Sequence, residues 1–346
     1  MKVVVLAGGN SSERDVSLGS GKMIYQALVK KGHQAILLDV YLGYEGNTEG
    51  IFTCKKDWAA QIGDIAEMNP DIEQIKALRT NGSRSFFGPG VLTLCSEADV
   101  VFLALHGANG EDGKIQACFE LLGIPYTGTD HVSSAIAMDK GITKDLFRAH
   151  GIPTPFGIRL KKGEAEEEKV PFPCMVKTCC GGSSVGVCTA ENEEEYEVAK
   201  REAFRYGDEI IVEQYIQGRE FSVGVIDHKA LPVIEIAPKQ GFYNYKNKYQ
   251  AGSAIETCPA QIPDEKAAEL MGIAEKVYRI LRMKNYARMD FMMNRSGEIF
   301  CLEANSLPGM TKTSLLPQEA AAVGMSFEDL CERIMEYAVR NFNDRH

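Results

Sequence analysis

Residues Val3–Leu6 form an unbroken apolar run that stops at Gly8-Gly9-Asn10 and gives way to a helical pattern from about Val16 to Lys31. A strand without polar alternation must be buried on both faces, which calls for helices on either side of a parallel sheet. Ala35–Val40 and Val100–Leu105 repeat the apolar signature, so the first part of the chain reads as α/β. Tyr41–Gly90 breaks the pattern with many turn residues and one weak helical stretch near Asp71–Leu78, and reads as an irregular insertion. A single helical stretch is expected between Ile124-Pro125 and Ile152-Pro153-Thr154-Pro155, with domain boundaries near both. The acidic run Glu164–Lys169 reads as a solvated loop.

Past Pro171 the periodicity changes. Short strands are expected at Cys174–Thr178, Val185–Thr189, Ile210–Tyr215, Phe221–Ile226 and Leu231–Ile236, with helices near Glu193–Arg205, Asp264–Leu281 and Ser326–Arg340. This half reads as α+β and mostly antiparallel.

The chain has 346 residues, 45% hydrophobic and 25% charged, with a formal net charge of −10. That composition excludes low complexity, argues against a general nucleic-acid or anionic-membrane binder, and suits two or three domains. No apolar run approaches the roughly 20 residues of a membrane span. The ten cysteines are scattered, lack zinc-ligand spacing and read as reduced thiols, so the expected compartment is the cytoplasm.

Two glycine signatures invite a nucleotide reading and fail. Gly8-Gly9-Asn10-Ser11-Ser12-Glu13 lacks the dinucleotide spacing, and Glu13 would set a carboxylate where a phosphate should bind. Glu13 could instead hold a substrate ammonium; on position alone, a helix-capping acid is the plainer reading. Gly21-Lys22 is followed by Met23 instead of the Ser or Thr of a P-loop. A stronger signal is Val176-Lys177-Thr178-Cys179-Cys180-Gly181-Gly182-Ser183-Ser184-Val185-Gly186, a Gly/Ser loop between two strands. Its N–H groups could cover phosphates, with Lys177 adding charge; an ordinary hairpin remains an equal alternative.

Arg288-Met289-Asp290-Phe291-Met292-Met293 and Glu298-Ile299-Phe300-Cys301-Leu302-Glu303 flank the turn Asn294–Gly297. A four-residue loop pairs Met293 with Glu298, Asp290 with Cys301 and Arg288 with Glu303. Alternation then puts Arg288, Asp290, Glu303 and Asn305 on one face, with Asp290 and Glu303 as diagonal neighbours. Two acids on an apolar hairpin repel unless a cation lies between them, and an all-oxygen set suits Mg²⁺. The turn Asn305-Ser306-Leu307-Pro308-Gly309-Met310-Thr311 could offer backbone N–H groups to an oxyanion. Glycine loop, lysine, acids and arginine together describe ATP-dependent phosphoryl transfer.

With these motifs in place, the chain resembles the ATP-grasp ligases and, among them, the D-alanine–D-alanine ligase family. The likeness rests on Gly8–Ser17, His106–Gly113, Pro125–Gly128, Met138-Asp139-Lys140, the Gly181–Gly186 loop, Leu302–Asn305 and Pro308–Thr311, in that order. The resemblance implies a three-domain ATP-grasp fold, α/β and α+β. Its parts would be an N-terminal Rossmann-like (pre-ATP-grasp) domain over 1–128, a central domain over 129–216 and a C-terminal domain over 217–346.

By motif position, Lys140 and Lys177 would hold ATP phosphates, with Ser183 and Ser184 in the closing loop. Glu213, Gln214 and Ile216 would read adenine, and Glu220 the ribose. Asp290, Glu303 and Asn305 would bind two Mg²⁺ ions, for which Mn²⁺ is an expected substitute. Arg288 and the Gly309 backbone would stabilise the tetrahedral intermediate. Glu13 would grip the first D-alanine's ammonium and His106 would lie near its carboxylate, although a lone histidine is more commonly a hydrogen-bonded structural residue. Ser314 and Leu315 would meet the second substrate. In the stretch Phe242–Tyr249, which resembles the family's lid, Lys248 would reach the γ-phosphate and Tyr249 would link through Ser183 to Glu13.

The implied reaction joins two D-alanines through a D-alanyl phosphate, for peptidoglycan precursor synthesis, in a cytoplasmic homodimer that binds neither nucleic acid nor membrane. Cys179-Cys180 and the uncharged Gln214 depart from the family pattern, and the Tyr41–Gly90 insertion is a candidate dimer surface. The alternatives are a D-alanine–D-serine ligase, a D-alanine–D-lactate ligase, which Tyr249 disfavours, and a catalytically silent ATP-binding regulator. An NAD-dependent oxidoreductase is disfavoured by the missing glycine fingerprint.

Overall fold

Lys2–Ala7 forms β1, buried beyond Lys2, and pairs in parallel with β2 (Gln34–Asp39) on one side and β3 (Val100–Leu103) on the other. A bridge from Val101 to Tyr126 continues the sheet. The computed structural model describes residues 1–60, 62–63, 70–79, 82–166, 168–181, 186–238 and 254–344. It resolves into two compact units: Met1–His131 with Lys284–Ala287 and Leu307–His346, and Val132–Met283 with Arg288–Ser306.

In the first unit the strand turns into helix at Gly8 and Gly9, whose φ values of +76° and +89° suit glycine. A Cβ on Gly8 would stand 2.5 Å from the Asp39 carboxylate. That carboxylate is ion-paired with the buried Arg14, which also donates to the Gly9 carbonyl at 2.5 Å. Helix Arg14–Lys30 then packs on β1 and β2 and against the final helix, Phe327–Asn343. Gly21 allows the approach to the sheet, since a Cβ there would lie 2.6 Å from that of Ala7. The apparent P-loop pair Gly21-Lys22 is therefore a packing feature.

The second unit holds two sheets among the described residues. The first has the order β4 (Gly157–Lys161), β7 (Glu209–Gln214), β5 (Cys174–Thr178), β6 (Val187–Ala190), all antiparallel. Helix Glu193–Ala203 covers it, burying Tyr196, Ala199 and Ala203 against Val176 and Val212. The second runs β11 (Ala254–Thr257), β10 (Ile234–Pro238), β8 (Gly218–Ile226), β12 (Tyr286–Asn294), β13 (Ile299–Asn305), with β9 (Lys229–Ala230) beside β8. Helix Asp264–Ile280 packs on β8 and β9.

Three expectations change. The single helical stretch is two helices, His131–Met138 and Lys140–Ala149. They part at Asp139, whose extended backbone bridges to Cys180 and whose side chain caps the second helix through the Ile142 N–H. Glu166 of the acidic run is no solvated side chain; it accepts from Tyr196 Oη at 2.5 Å and from Lys200 at 3.2 Å. The third concerns the carboxylate hairpin. Met293 pairs with Ile299, and the turn is closed by the Asn294 side chain, which accepts from the N–H groups of Ser296 and Glu298. Leu302 is then an extra residue in β13, so Asp290 faces Glu303 and Arg288 faces Asn305.

Candidate functional site

The expected site residues fall into two sets, one in each unit. In the first unit Glu13 occupies the N-cap of helix Arg14–Lys30, yet its side chain makes no cap hydrogen bond. The capping reading therefore does not hold. Glu13 is 6% exposed, and its carboxylate lies beside Gly107, where a Cβ would stand 2.7 Å from Oε2. Ser11 Oγ steadies this corner, accepting from the Glu13 N–H at 3.3 Å and donating to the His106 carbonyl at 2.9 Å.

His106 is also buried, with both ring nitrogens engaged. Nδ1 lies 3.2 Å from the Leu307 carbonyl and Nε2 lies 3.1 Å from Ser20 Oγ. A carbonyl can only accept, so in the neutral ring Nδ1 carries the proton and Ser20 donates to Nε2. Ser20 Oγ in turn accepts from the Met310 N–H at 3.3 Å. The histidine thus ties helix Arg14–Lys30 to the Leu307–Met310 turn that carries Gly309, as the hydrogen-bonded structural reading has it.

Gly309 has its Cα close to Ser314, and a Cβ would meet Ser314 Oγ at 2.8 Å. Ser314 Oγ accepts from the Thr311 N–H and lies within hydrogen-bond range of Thr311 Oγ1, both at 2.9 Å. Leu315 begins helix Leu315–Ala322 and is buried.

In the second unit Lys177 projects from β5 to Glu213 Oε2 of β7 at 2.7 Å. Glu213 is 1% exposed, and its other oxygen lies 2.7 Å from Lys144 Nζ. Burial alone would push this carboxyl up, but the two ammonium groups outweigh it and hold it down at about 2. Gln214 is exposed, Ile216 buried and Glu220 half-buried on β8. Lys140, at the start of its helix, donates to the Gly181 carbonyl at 2.8 Å and lies 3.3 Å from Glu303 Oε2.

Asp290 accepts from three different side chains. Arg288 grips it with two N–H groups, at 2.9 and 2.8 Å, Ser222 Oγ donates at 2.8 Å and Asn305 Nδ2 at 3.1 Å. Among the described residues no three His, Cys, Asp or Glu side chains cluster as a metal site. Asp290, Glu303 and the Asn305 amide nonetheless supply only hard oxygen donors, which fits a small divalent cation.

Ser183, Ser184, Lys248 and Tyr249 lie outside the described residues. Three side chains that motif matching missed stand in the networks: Ser20, Ser222 and Lys144. Only Lys144 left a trace, as a second lysine one turn after Lys140 on the buried face of the same helix. Among the described residues no helix is long and apolar enough to cross a membrane.

The fold class is that of the ATP-grasp ligases. Family models described as D-ala D-ala ligase N-terminus and C-terminus match residues 2–129 and 148–336. Similar curated proteins include D-alanine–D-alanine ligases of Pediococcus pentosaceus, 44% identical over 97% of each chain, and Lacticaseibacillus casei, 41% identical over 99% of this chain and 97% of the other. Among solved structures, a Bacillus anthracis D-alanine–D-alanine ligase complexed with ATP aligns over 100% of both chains, with 29% identity and a TM-score of 0.75. The chain belongs to the D-alanine–D-alanine ligase family, and is a ligase.

Proposed function

We propose that the chain joins two D-alanines, driven by ATP, through a D-alanyl phosphate, and that the dipeptide enters peptidoglycan precursor synthesis. The observation that carries the reading is the second unit's arrangement, in which Asp290 and Glu303 oppose one another with Lys140 3.3 Å from Glu303. Such a group handles the charge of a transferring phosphoryl. Domain boundaries at residues 128 and 216 go with this reading; the second falls in the connection between Gln214 and Gly218.

Lys140 and Lys177 bind the ATP phosphates, and the Glu213–Ile216 stretch and Glu220 take the nucleoside. Ser183, Ser184, Lys248 and Tyr249 keep the closing roles that the motifs give them. Asp290, Glu303 and Asn305 would hold Mg²⁺ or Mn²⁺, which neutralises phosphate charge when bound. Glu13 holds the first D-alanine by its ammonium, while Ser314 and the Leu315 main chain take the carboxylate of the second.

The first carboxylate oxygen attacks the γ-phosphorus and ADP leaves. The second D-alanine's amine, once deprotonated, attacks the carbonyl; Arg288 and the Gly309 N–H stabilise the oxyanion, and phosphate departs. His106 would lie near the first D-alanine's carboxylate and also positions the Gly309 turn through the Leu307 carbonyl. D-alanine labelled with heavy oxygen in its carboxylate tests the sequence. One labelled oxygen in the released phosphate is expected, and unlabelled phosphate would overturn the acyl-phosphate step.

A further inference from the structure

Lys144 is 1% exposed and belongs to none of the motifs. Its ammonium donates to Thr154 Oγ1 at 2.6 Å and the Cys301 carbonyl at 3.3 Å, and stands 2.7 Å from Glu213 Oε1. The other Glu213 oxygen holds Lys177, whose side chain is 15% exposed. Two lysines thus share one carboxylate. Without Lys144, Lys177 and Glu213 would cancel each other and present a neutral pair. With it the triad keeps one net positive charge, and Lys177 is its exposed end. In a buried cluster that difference is weakly screened.

We propose that Lys144 is a positioning residue for the nucleotide: by occupying Glu213 it leaves Lys177 with a charge to offer the phosphates. This rests on Lys177 being a phosphate ligand. The rival is a purely structural Lys144 that fastens Thr154 and β13.

The two roles separate under double substitution. Lys144→Met is expected to raise the KM for ATP about tenfold, with the KM for D-alanine nearly unchanged. Lys144→Met with Glu213→Gln removes both buried charges and restores Lys177's own; its KM for ATP is expected about threefold or more below that of Lys144→Met alone. A structural Lys144 predicts instead a double variant at least as impaired as the single one, or a single variant with unchanged KM for ATP. Either result overturns the proposal. If Lys144→Met does not fold, Lys144→Gln, which keeps an N–H for Thr154 and Cys301, gives the same comparison. Lys177→Met is the control: if it leaves the KM for ATP unchanged, the phosphate reading itself has failed; if it raises it, a failure lies with Lys144 alone.

Discussion

Asp290 and Glu303 stand directly opposite each other across β12 and β13, with Leu302 as the extra residue that sets them there. Directly opposed like charges are destabilising in a sheet, and here Arg288 and Lys140 offset them. A divalent cation would do so more fully. Asp290→Asn and Glu303→Gln are each expected to lower kcat by about a hundredfold or more, as loss of transition-state electrostatics does. Mn²⁺ titration with ATP present, followed by electron paramagnetic resonance, should show weakened binding in both. Unaltered Mn²⁺ binding would remove these residues from the metal site.

Gly107 leaves room for the Glu13 carboxylate. A Cβ there would stand 2.7 Å from Glu13 Oε2, on a backbone with φ of +71°. Gly107→Ala should raise the KM for D-alanine about tenfold by displacing that carboxylate while the KM for ATP holds. An equal rise in both would point to general unfolding of the corner.

Ser20 completes the His106 tether. Ser20→Ala removes the donor to Nε2 and the acceptor for the Met310 N–H. A loss of about 1–3 kcal/mol is expected, since buried partners are left unsatisfied. In a denaturation cycle with His106→Gln the two losses should be non-additive. Additive losses would mean that the two side chains act independently.

Acid stability should depend on Glu213. Its carboxyl titrates at about 2 in the fold against an ordinary 4.5, so the unfolded chain takes up the proton first as pH falls. The contribution is complete above 4.5 and is lost on acidification towards 2. Denaturation midpoints of the parent and Glu213→Gln should differ by a constant amount above that window and converge within it. A gap that stays constant into acid would contradict the assignment.

The N-terminal strand and its glycines were legible because an apolar run with no alternation has few other uses. The acidic face of the hairpin was legible for a subtler reason. The turn shifts the expected register by one residue and Leu302 shifts it by another. A single slip exchanges the faces of a strand, but two restore them, so the expected face survived although every expected pair changed. The bulge itself left no mark, because Leu302 is as apolar as its neighbours. Glu213 was found by motif position, but its carboxylate's two lysine partners come from a helix and another strand, which only the tertiary fold brings together. The same holds for Ser20 and Ser222, ordinary serines until His106 and Asp290 arrive beside them.

The most direct test is phosphate release from ATP and Mg²⁺ with D-alanine as the sole amino acid, with the product identified by mass. D-alanine-dependent release is expected, with D-alanyl-D-alanine as the product and D-serine or D-lactate adding little. No D-alanine-dependent release, or a dominant mixed product when D-serine or D-lactate is supplied, would contradict it.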